Sequence, residues 1–106
     1  MRLFERSCAP LPEGSPTLTP GQIDELLPQL EGWRVVDGEK LAKDYKFKDF
    51  AKALAFVNGV GEVAEADDHH PEIWFTYGQA RLEIRTHSID GLSENDFILA
   101  AKIDRI

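Results

Sequence analysis

Three histidines are the side chains of this sequence that are best suited to chemistry. His69 and His70 are adjacent, between a run of acidic residues and Pro71, and His87 follows 17 positions after His70. An imidazole ring titrates at about pH 6.5, so it can both donate and accept a proton at neutral pH. This property suits a reaction that needs an acid and a base together. Nearby carboxylates such as Glu65 could orient a ring N–H or accept a hydrogen bond from a ligand.

The N-terminal part of the sequence predicts a tail and then a helix. Residues 1–18 contain three of the six prolines and show no apolar periodicity, so we expect a flexible N-terminal tail. Thr19, Pro20 and Gln22 have the arrangement of a helix N-terminus, with a cap, a proline at the first helical position and a capping-box partner. A single domain is therefore expected over residues 19–106.

Apolar residues alternate with a period of two after Trp33, which predicts strands. Asp37-Gly38 lies between two such runs and is typical of a tight hairpin turn, in which both central residues have a positive φ. A second pair of alternating runs lies on either side of Gly78, so we expect two antiparallel hairpins. His87 then falls at the end of the fourth strand.

Two further helices complete the pattern. Asp49 predicts the start of a long helix with one apolar stripe, which consists of Phe50, Ala53, Leu54, Val57, Val60 and Ala64. Ser93 and Asp96 predict a last helix through the aspartate form of a capping box. The element order is helix-strand-strand-helix-strand-strand-helix. It predicts a two-layer α+β fold, a four-stranded antiparallel sheet with helices packed on one face, in which the three histidines could line one rim.

The composition excludes several classes of function. The 19 acidic and 12 basic residues give a net charge of −7, so a nucleic acid would be repelled at long range. The longest apolar runs have five residues, against about 20 for a membrane span, and residues 1–10 lack the apolar stretch of a signal peptide. Cys8, the single cysteine, cannot form an intramolecular disulfide or a thiolate cluster. We therefore expect a cytoplasmic protein that binds neither nucleic acid nor a membrane.

The histidines belong to a longer pattern with fixed spacing. It reads Glu65, three residues, His69-His70-Pro71, five residues, Tyr77, nine residues, His87, eight residues and Asp96. In these seven positions the sequence resembles the pterin-4a-carbinolamine dehydratase family, and the similarity covers about residues 19–106. The resemblance implies an α+β fold with a four-stranded antiparallel sheet, which agrees with the fold predicted from periodicity. It also implies association into homodimers or homotetramers.

The reaction implied by the resemblance is the dehydration of 4a-hydroxytetrahydrobiopterin to quinonoid dihydropterin and water. This step recycles the cofactor of aromatic amino acid hydroxylases, one of which would be the metabolic companion of this protein. The departing hydroxyl must be protonated while the N5 proton is removed, and two histidines can do both. By resemblance, His69 and His87 are the acid and the base, and His70 is a further active-site residue that holds the pterin. The chemistry requires no cofactor and no metal.

Four other residues are assigned to substrate binding. Glu65 is the expected acceptor for the 2-amino and N3–H edge of the pterin, since that edge is a pair of donors. Pro71 is expected to fix the loop that aims the two histidines. Trp74 could stack on the flat ring, and a core position is its alternative. Asp96 has two interpretations, as a residue of the site and as the capping partner of Ser93.

Two other classes of function stay open. The same fold could serve as a non-catalytic dimerisation or assembly module, such as a Rubisco assembly factor or a transcriptional cofactor. Such relatives look degenerate at the histidines, all three of which this sequence retains. A zinc hydrolase would instead place the three histidines on one ion. Adjacent histidines are an awkward pair for this, because neighbouring side chains tend to diverge.

Overall fold

A four-stranded antiparallel sheet forms the centre of the structure, a computed structural model that describes residues 1–106. The strands are β1 (Arg34–Val36), β2 (Lys40–Lys46), β3 (Glu72–Thr76) and β4 (Gln79–Ile84), and their order in the sheet is β1-β2-β4-β3. The helices are α1 (Pro20–Leu26), α2 (Phe50–Asp67) and α3 (Glu94–Ile103). Short 3₁₀ turns occur at Leu3–Glu5, Leu27–Gln29 and His87–Ile89. The α+β fold and the element order predicted from the sequence are confirmed.

Both hairpins form at the predicted turns. Asp37 and Gly38 have φ values of 55° and 69°, and the N–H of Glu39 donates to the carbonyl of Val36 at 3.0 Å. Two positive φ values in a row match the twist of the flanking strands, which explains why Asp-Gly marks this turn. The second hairpin pairs β3 with β4, and β2 pairs with β4 to join the two hairpins into one sheet.

The core lies between one face of the sheet and the helices. Leu82 and Ile84 of β4 and Leu41 of β2 are fully buried, and they pack with Phe97 of α3 in one apolar cluster. The opposite face of the sheet carries charged side chains in ion pairs, for example Lys40–Glu83, Arg81–Glu83 and Arg34–Asp44. Side chains alternate between the two faces of a strand, so this division follows from the sequence period of two.

None of the helices combines the length and the apolar character that crossing a membrane requires.

Helix α2 is continuous over 18 residues, but its buried stripe is narrower than predicted. Asp49 caps the helix and accepts a hydrogen bond from the N–H of Lys52 at 2.9 Å. Within the predicted stripe, Phe50 and Leu54 are 45% and 39% exposed. The buried residues are Ala53, Val60 and Ala64, the partly buried Phe56 packs against the core beside them, and Phe50 lies at the flank of the helix. There, the ring of Phe50 stacks on Phe75 with centroids 5.7 Å apart.

The N-terminal segment, predicted as a flexible tail over residues 1–18, packs on the domain instead. Leu3 is only 4% exposed and belongs to the core cluster. The guanidinium of Arg105 lies 4.0 Å from the centroid of the Phe4 ring. The N–H of Leu18 donates to the carbonyl of Leu92 at 2.9 Å. Leu3 and Phe4 therefore anchor the start of this segment, although they form no periodic pattern, because α3 offers them an apolar surface.

The environment of Cys8 gives a direct test of this packing. Burial raises the pKa of the Cys8 thiol from 9.0 to about 12, and the carboxylate of Asp67 adds to the shift. At pH 8 this lowers the thiolate fraction by about 1000-fold, and the greater nucleophilicity of a more basic thiolate offsets part of the loss. We expect alkylation of Cys8 by iodoacetamide to be about 30-fold slower in the folded protein than in urea. Equal rates, after correction for the effect of urea on a free thiol, would contradict the packing.

Candidate active site

The three histidines line one cavity at the rim of the sheet, as the sequence predicts. The cavity has a volume of about 360 Å³, within the range of small-molecule sites. Its lining includes His69, His70, Pro71, Arg85, Thr86 and His87. The loop after α2 supplies the first three of these residues, and the segment after β4 supplies the others. Two parts of the chain that are distant in sequence therefore meet at this cavity.

The C-terminus of α2 fixes the backbone of the adjacent histidines. Asp68 adopts a left-handed conformation with φ at 51° and ends the helix. The N–H of His69 then donates to the carbonyl of Ala64 at 3.1 Å, which satisfies one of the free carbonyls of the last turn. Pro71 comes next and immediately precedes β3. The loop that carries both histidines is therefore short and is held at both ends.

His87 begins the 3₁₀ turn after β4. Thr86 and Gly91 form a bridge across this turn, in which the N–H of Thr86 donates to the carbonyl of Gly91 at 2.9 Å. A Cβ at Gly91 would lie 2.6 Å from Cγ2 of Thr17, so a side chain here would displace that residue. The Nε of Arg85 lies 3.4 Å from Nδ1 of His87, and its guanidinium pairs with Asp90 at 3.1 Å. This turn therefore presents the His87 ring at the rim.

Asp96 orients the ring of His69 from beneath the site. Its Oδ1 lies 2.7 Å from Nε2 of His69, and its carboxylate is fully buried. Its Oδ2 accepts hydrogen bonds from the hydroxyl of Thr86 and the N–H of Ser93, both at 2.9 Å. A carboxylate only accepts, so a neutral His69 carries its proton on Nε2 and its lone pair on Nδ1. The geometry thus leaves Nδ1 able to take a proton.

His70, which lines the cavity, forms a second histidine–carboxylate pair with Glu65, which does not line it. Nε2 of His70 is in hydrogen-bond contact with Oε2 of Glu65. Both side chains are more than half exposed, so the pair contributes little to stability. The carboxylate predicted to bind a ligand is therefore already in contact with a histidine of the site, and it can fix the orientation of that ring.

The structure places two of the predicted site residues elsewhere. Asp96, one of whose predicted roles was ligand binding, has no exposed surface, and both its oxygens are occupied by protein groups. Trp74 is 49% exposed on the open face of the sheet, opposite Arg81, and does not line the histidine cavity. The strand period explains its position, because alternate residues of β3 point to opposite faces. Pro71 lines the cavity next to the two histidines.

Sequence reasoning missed two residues that support the site. Thr86 bonds to both Asp96 and Ser93 through its buried hydroxyl. Arg85 contacts His87 and also lines the cavity. Their positions directly before His87, in the chain that leaves β4, were the only signal. No group of three or more His, Cys, Asp or Glu side chains is arranged to hold a metal ion, so this geometry lends no support to a zinc site.

Comparisons with known sequences all point to one family. The sequence model of the family described as pterin 4 alpha carbinolamine dehydratase matches residues 16–106. A relative from Rubrobacter xylanophilus is 47% identical over 98% of this chain and 97% of its own length. A second relative, from Halorhodospira halophila, is 45% identical over 100% of this chain and 98% of its own length. Both carry provisional names as pterin-4-alpha-carbinolamine dehydratases.

Solved structures extend the comparison to the fold. A transcriptional coactivator/pterin dehydratase from Brucella melitensis is 36% identical, with a TM-score of 0.79, over 85% of this chain and 97% of that one. A pterin dehydratase-like RuBisCO assembly factor of the alpha-carboxysome is 23% identical, with a TM-score of 0.61, over 71% of this chain and 88% of that one. The similarity to the second structure is evidence for a shared fold only. The family model and the relatives match nearly the whole sequence, and the chain therefore belongs to the pterin-4a-carbinolamine dehydratase family.

Proposed function

We propose that this protein is a hydro-lyase that converts 4a-hydroxytetrahydrobiopterin to quinonoid dihydropterin and water. The observation that carries the proposal is the single cavity lined by His69, His70 and His87. Within this cavity, one ring is oriented by a buried carboxylate, which leaves a defined nitrogen for proton transfer. Family membership supplies the pterin as the substrate class.

His69 is suited to act as the base. Because Nε2–H donates a hydrogen bond to Asp96, the lone pair on Nδ1 can take the proton from N5 of the pterin. The same hydrogen bond persists when the ring is protonated, because both ring nitrogens then donate. Asp96 does not touch the substrate and is a positioning residue.

His87 is suited to act as the acid. When His87 is protonated, Nδ1 no longer accepts from Nε of Arg85, and Nε2 gives its proton to the 4a-hydroxyl, so the C4a–O bond breaks and the oxygen leaves as water. The electron pair of the N5–H bond forms the new double bond between N5 and C4a. His69 then holds the proton from N5, the proton of His87 has left with the water molecule, and exchange with solvent restores both rings. The overall change is the loss of one water molecule, with no oxidation or reduction.

His70 and Glu65 are suited to hold the pterin rather than to transfer protons. His70 lines the cavity, Glu65 contacts its ring from outside the lining, and both side chains are more than half exposed. The free oxygen of Glu65 can accept from the donor edge of the pterin while its partner oxygen contacts His70. The pair of His70 and Glu65 would therefore bind and orient the pterin. This sets the distance between the substrate and the two rings that transfer protons.

The proposal is tested by the rate of dehydration of freshly generated 4a-hydroxytetrahydrobiopterin in metal-free buffer near pH 7. The compound also dehydrates without help, so each rate must be compared with that of buffer alone. We expect an acceleration that rises in proportion to protein concentration. A rate equal to that of buffer at every protein concentration would contradict the proposal and favour the assembly-module alternative.

A further inference from the structure

Part of the N-terminal segment lies across the junction between α2 and α3. Residues 6–9, here called the strap, bond to the last residue of α2 and to the first turn of α3. His69 follows the end of α2, and Asp96 lies in the first turn of α3, so the 2.7 Å contact between their side chains joins the same two elements. The strap therefore spans the junction across which the ring of His69 must be held.

Two consecutive residues of the strap bond to residues beside this contact. The N–H of Cys8 donates to Oδ2 of Asp67 at 3.3 Å, two positions before the histidine. The N–H of Ala9 donates to Oδ1 of Asn95 at 3.0 Å, and the carbonyl of Ala9 accepts from Nδ2 of the same amide at 2.7 Å. Asn95 directly precedes Asp96 in α3. The backbone of the strap thus links the close neighbours of the two residues whose side chains must meet.

These bonds are shielded from water. Asn95 is 8% exposed, and the side chain of Asp67 is 7% exposed. Burial alone would raise the pKa of Asp67, but the bonds from Lys102 and Cys8 outweigh it and the pKa is lowered. A charged acceptor and a shielded amide form stronger hydrogen bonds than exposed neutral groups do. The strap is therefore fixed at two points.

The strap also faces His69 itself. Cys8 and Ala9 line a cavity of about 480 Å³ together with His69. Burial raises the pKa of the Cys8 thiol to about 12, and the nearby carboxylates of Asp67 and Asp96 add to the shift. With the strap in place, Asp96 has no exposed surface. Release of the strap would admit water beside this carboxylate, and its hydrogen bond to His69 weakens when water competes for the acceptor.

We propose that Asn95 is a positioning residue, which holds the strap across α2 and α3 and thereby keeps the ring of His69 on Asp96 with its proton on Nε2. The inference rests on the proposed function, because it assumes that His69 takes the N5 proton through Nδ1. It gives Asn95 and the strap an effect on kcat rather than on substrate binding. A small change in the position of the ring is enough, since a misplacement of about 1 Å can cost about 100-fold in rate.

Two variants remove this attachment from opposite sides. Asn95→Ala deletes the amide, and Ala9→Pro deletes the N–H that donates to it without changing α3. Arg6→Gln is the matched control, because it breaks the exposed pair of Arg6 and Glu94, which ties the same strap to the same turn of α3. The Tm, and kcat and KM with 4a-hydroxytetrahydrobiopterin, would be measured for each variant.

NMR of the full chain with ¹⁵N-labelled histidine reads the tautomer of His69 without any substrate. The spectrum would be recorded at about pH 9, where an ordinary imidazole is neutral. The spectrum of His69→Ala identifies which signals belong to this ring. The measurement reports the position of one proton, which a loss of stability alone does not change in the folded protein.

We expect Asn95→Ala to lower kcat by about 10- to 100-fold, with KM within a factor of about three, and to convert the single Nε2–H tautomer of His69 into a mixture of both tautomers. Ala9→Pro should show the same changes to a smaller extent, since it removes one of the two bonds. Arg6→Gln should match the wild type. A lower Tm for Asn95→Ala with wild-type kcat and tautomer would overturn the inference. Wild-type behaviour of Ala9→Pro would also overturn it, because Asn95 would then not act through the strap.

The NMR measurement separates this inference from the proposed function. If the wild type shows the Nε2–H tautomer but does not accelerate dehydration, the proposed function fails, and a changed tautomer in Asn95→Ala still supports the role of the strap. An unchanged tautomer in that variant overturns the role of the strap, whatever the kinetics. If the wild type already shows a mixture of tautomers, the inference is overturned, and an observed acceleration would still support the proposed function.

Discussion

Replacement of His87 or His69 by alanine is expected to lower kcat for pterin dehydration by about 10²–10⁴-fold, the usual contribution of a positioned acid or base. His87→Ala leaves the departing hydroxyl without a proton donor, and His69→Ala leaves N5–H without an acceptor. Both rings line the cavity at its rim, so neither deletion opens the apolar core. Stopped-flow absorbance on freshly generated substrate measures the rate, and circular dichroism verifies folding.

Two controls give this experiment a clear outcome. Trp74→Phe changes an aromatic residue on the open face of the sheet, away from the histidine cavity, and should keep the wild-type rate. The double variant of His69 and His87 should be little slower than the slower single variant, because an acid and a base that act in one transition state are not additive. A folded His69→Ala variant with the wild-type kcat would show that this ring is not the base.

Local signals in the sequence were sufficient to predict the elements of this fold. Thr19, Asp49 and Ser93 each cap a helix in the structure, because a capping bond depends only on residues within one turn. Asp37-Gly38 makes its hairpin for the same reason. The order of the strands could not be predicted in this way. It depends on the pairing of β2 with β4, which are separated by a helix and another strand.

The prediction of buried residues failed where burial depends on the shapes of the packed elements rather than on the periodicity of the sequence. Phe50 has the right spacing for the buried stripe of α2 but is 45% exposed, whereas Phe56, which lies outside that stripe, packs against the core. Leu3 and Phe4 form no periodic pattern, yet α3 provides them with an apolar surface. Such contacts depend on the assembled fold, and a hydrophobic pattern carries no information about them.

The spacing of the histidines identified the residues of the site but not their contacts. His69, His70 and His87 meet at one cavity, as their places in the element order predict. The sequence left Asp96 with two interpretations, and the structure shows that it caps α3 and orients His69 at the same time. One carboxylate has two oxygens, and each can serve a different partner. This dual use makes Asp96 the residue whose replacement should separate stability from catalysis.

Asp96→Ala is expected to lower the free energy of unfolding by about 3–5 kcal/mol. The change leaves the N–H groups of Ser93 and His69 and the hydroxyl of Thr86 without their acceptor. Each buried donor that loses its partner costs about 1–3 kcal/mol, and loss of the cap is part of that sum. Urea denaturation would measure the change. Ser93→Ala is the matched control, since it weakens the same cap but retains the Asp96–His69 pair, and it should cost only about 1 kcal/mol.

Asp96→Asn should instead retain most of the stability and lose the activity. The amide oxygen can still accept from Ser93 and Thr86, so the cap persists, and the amide NH₂ then faces Nε2 of His69. A donor at this position forces Nε2 to be the acceptor and moves the proton of the neutral ring to Nδ1. The nitrogen that must take the N5 proton is then already protonated, and we expect kcat to fall by about 10²–10⁴-fold. NMR of the ring nitrogens would show the change of tautomer. Wild-type kcat in a folded Asp96→Asn variant would mean that Asp96 is only a cap and that His69 does not depend on it.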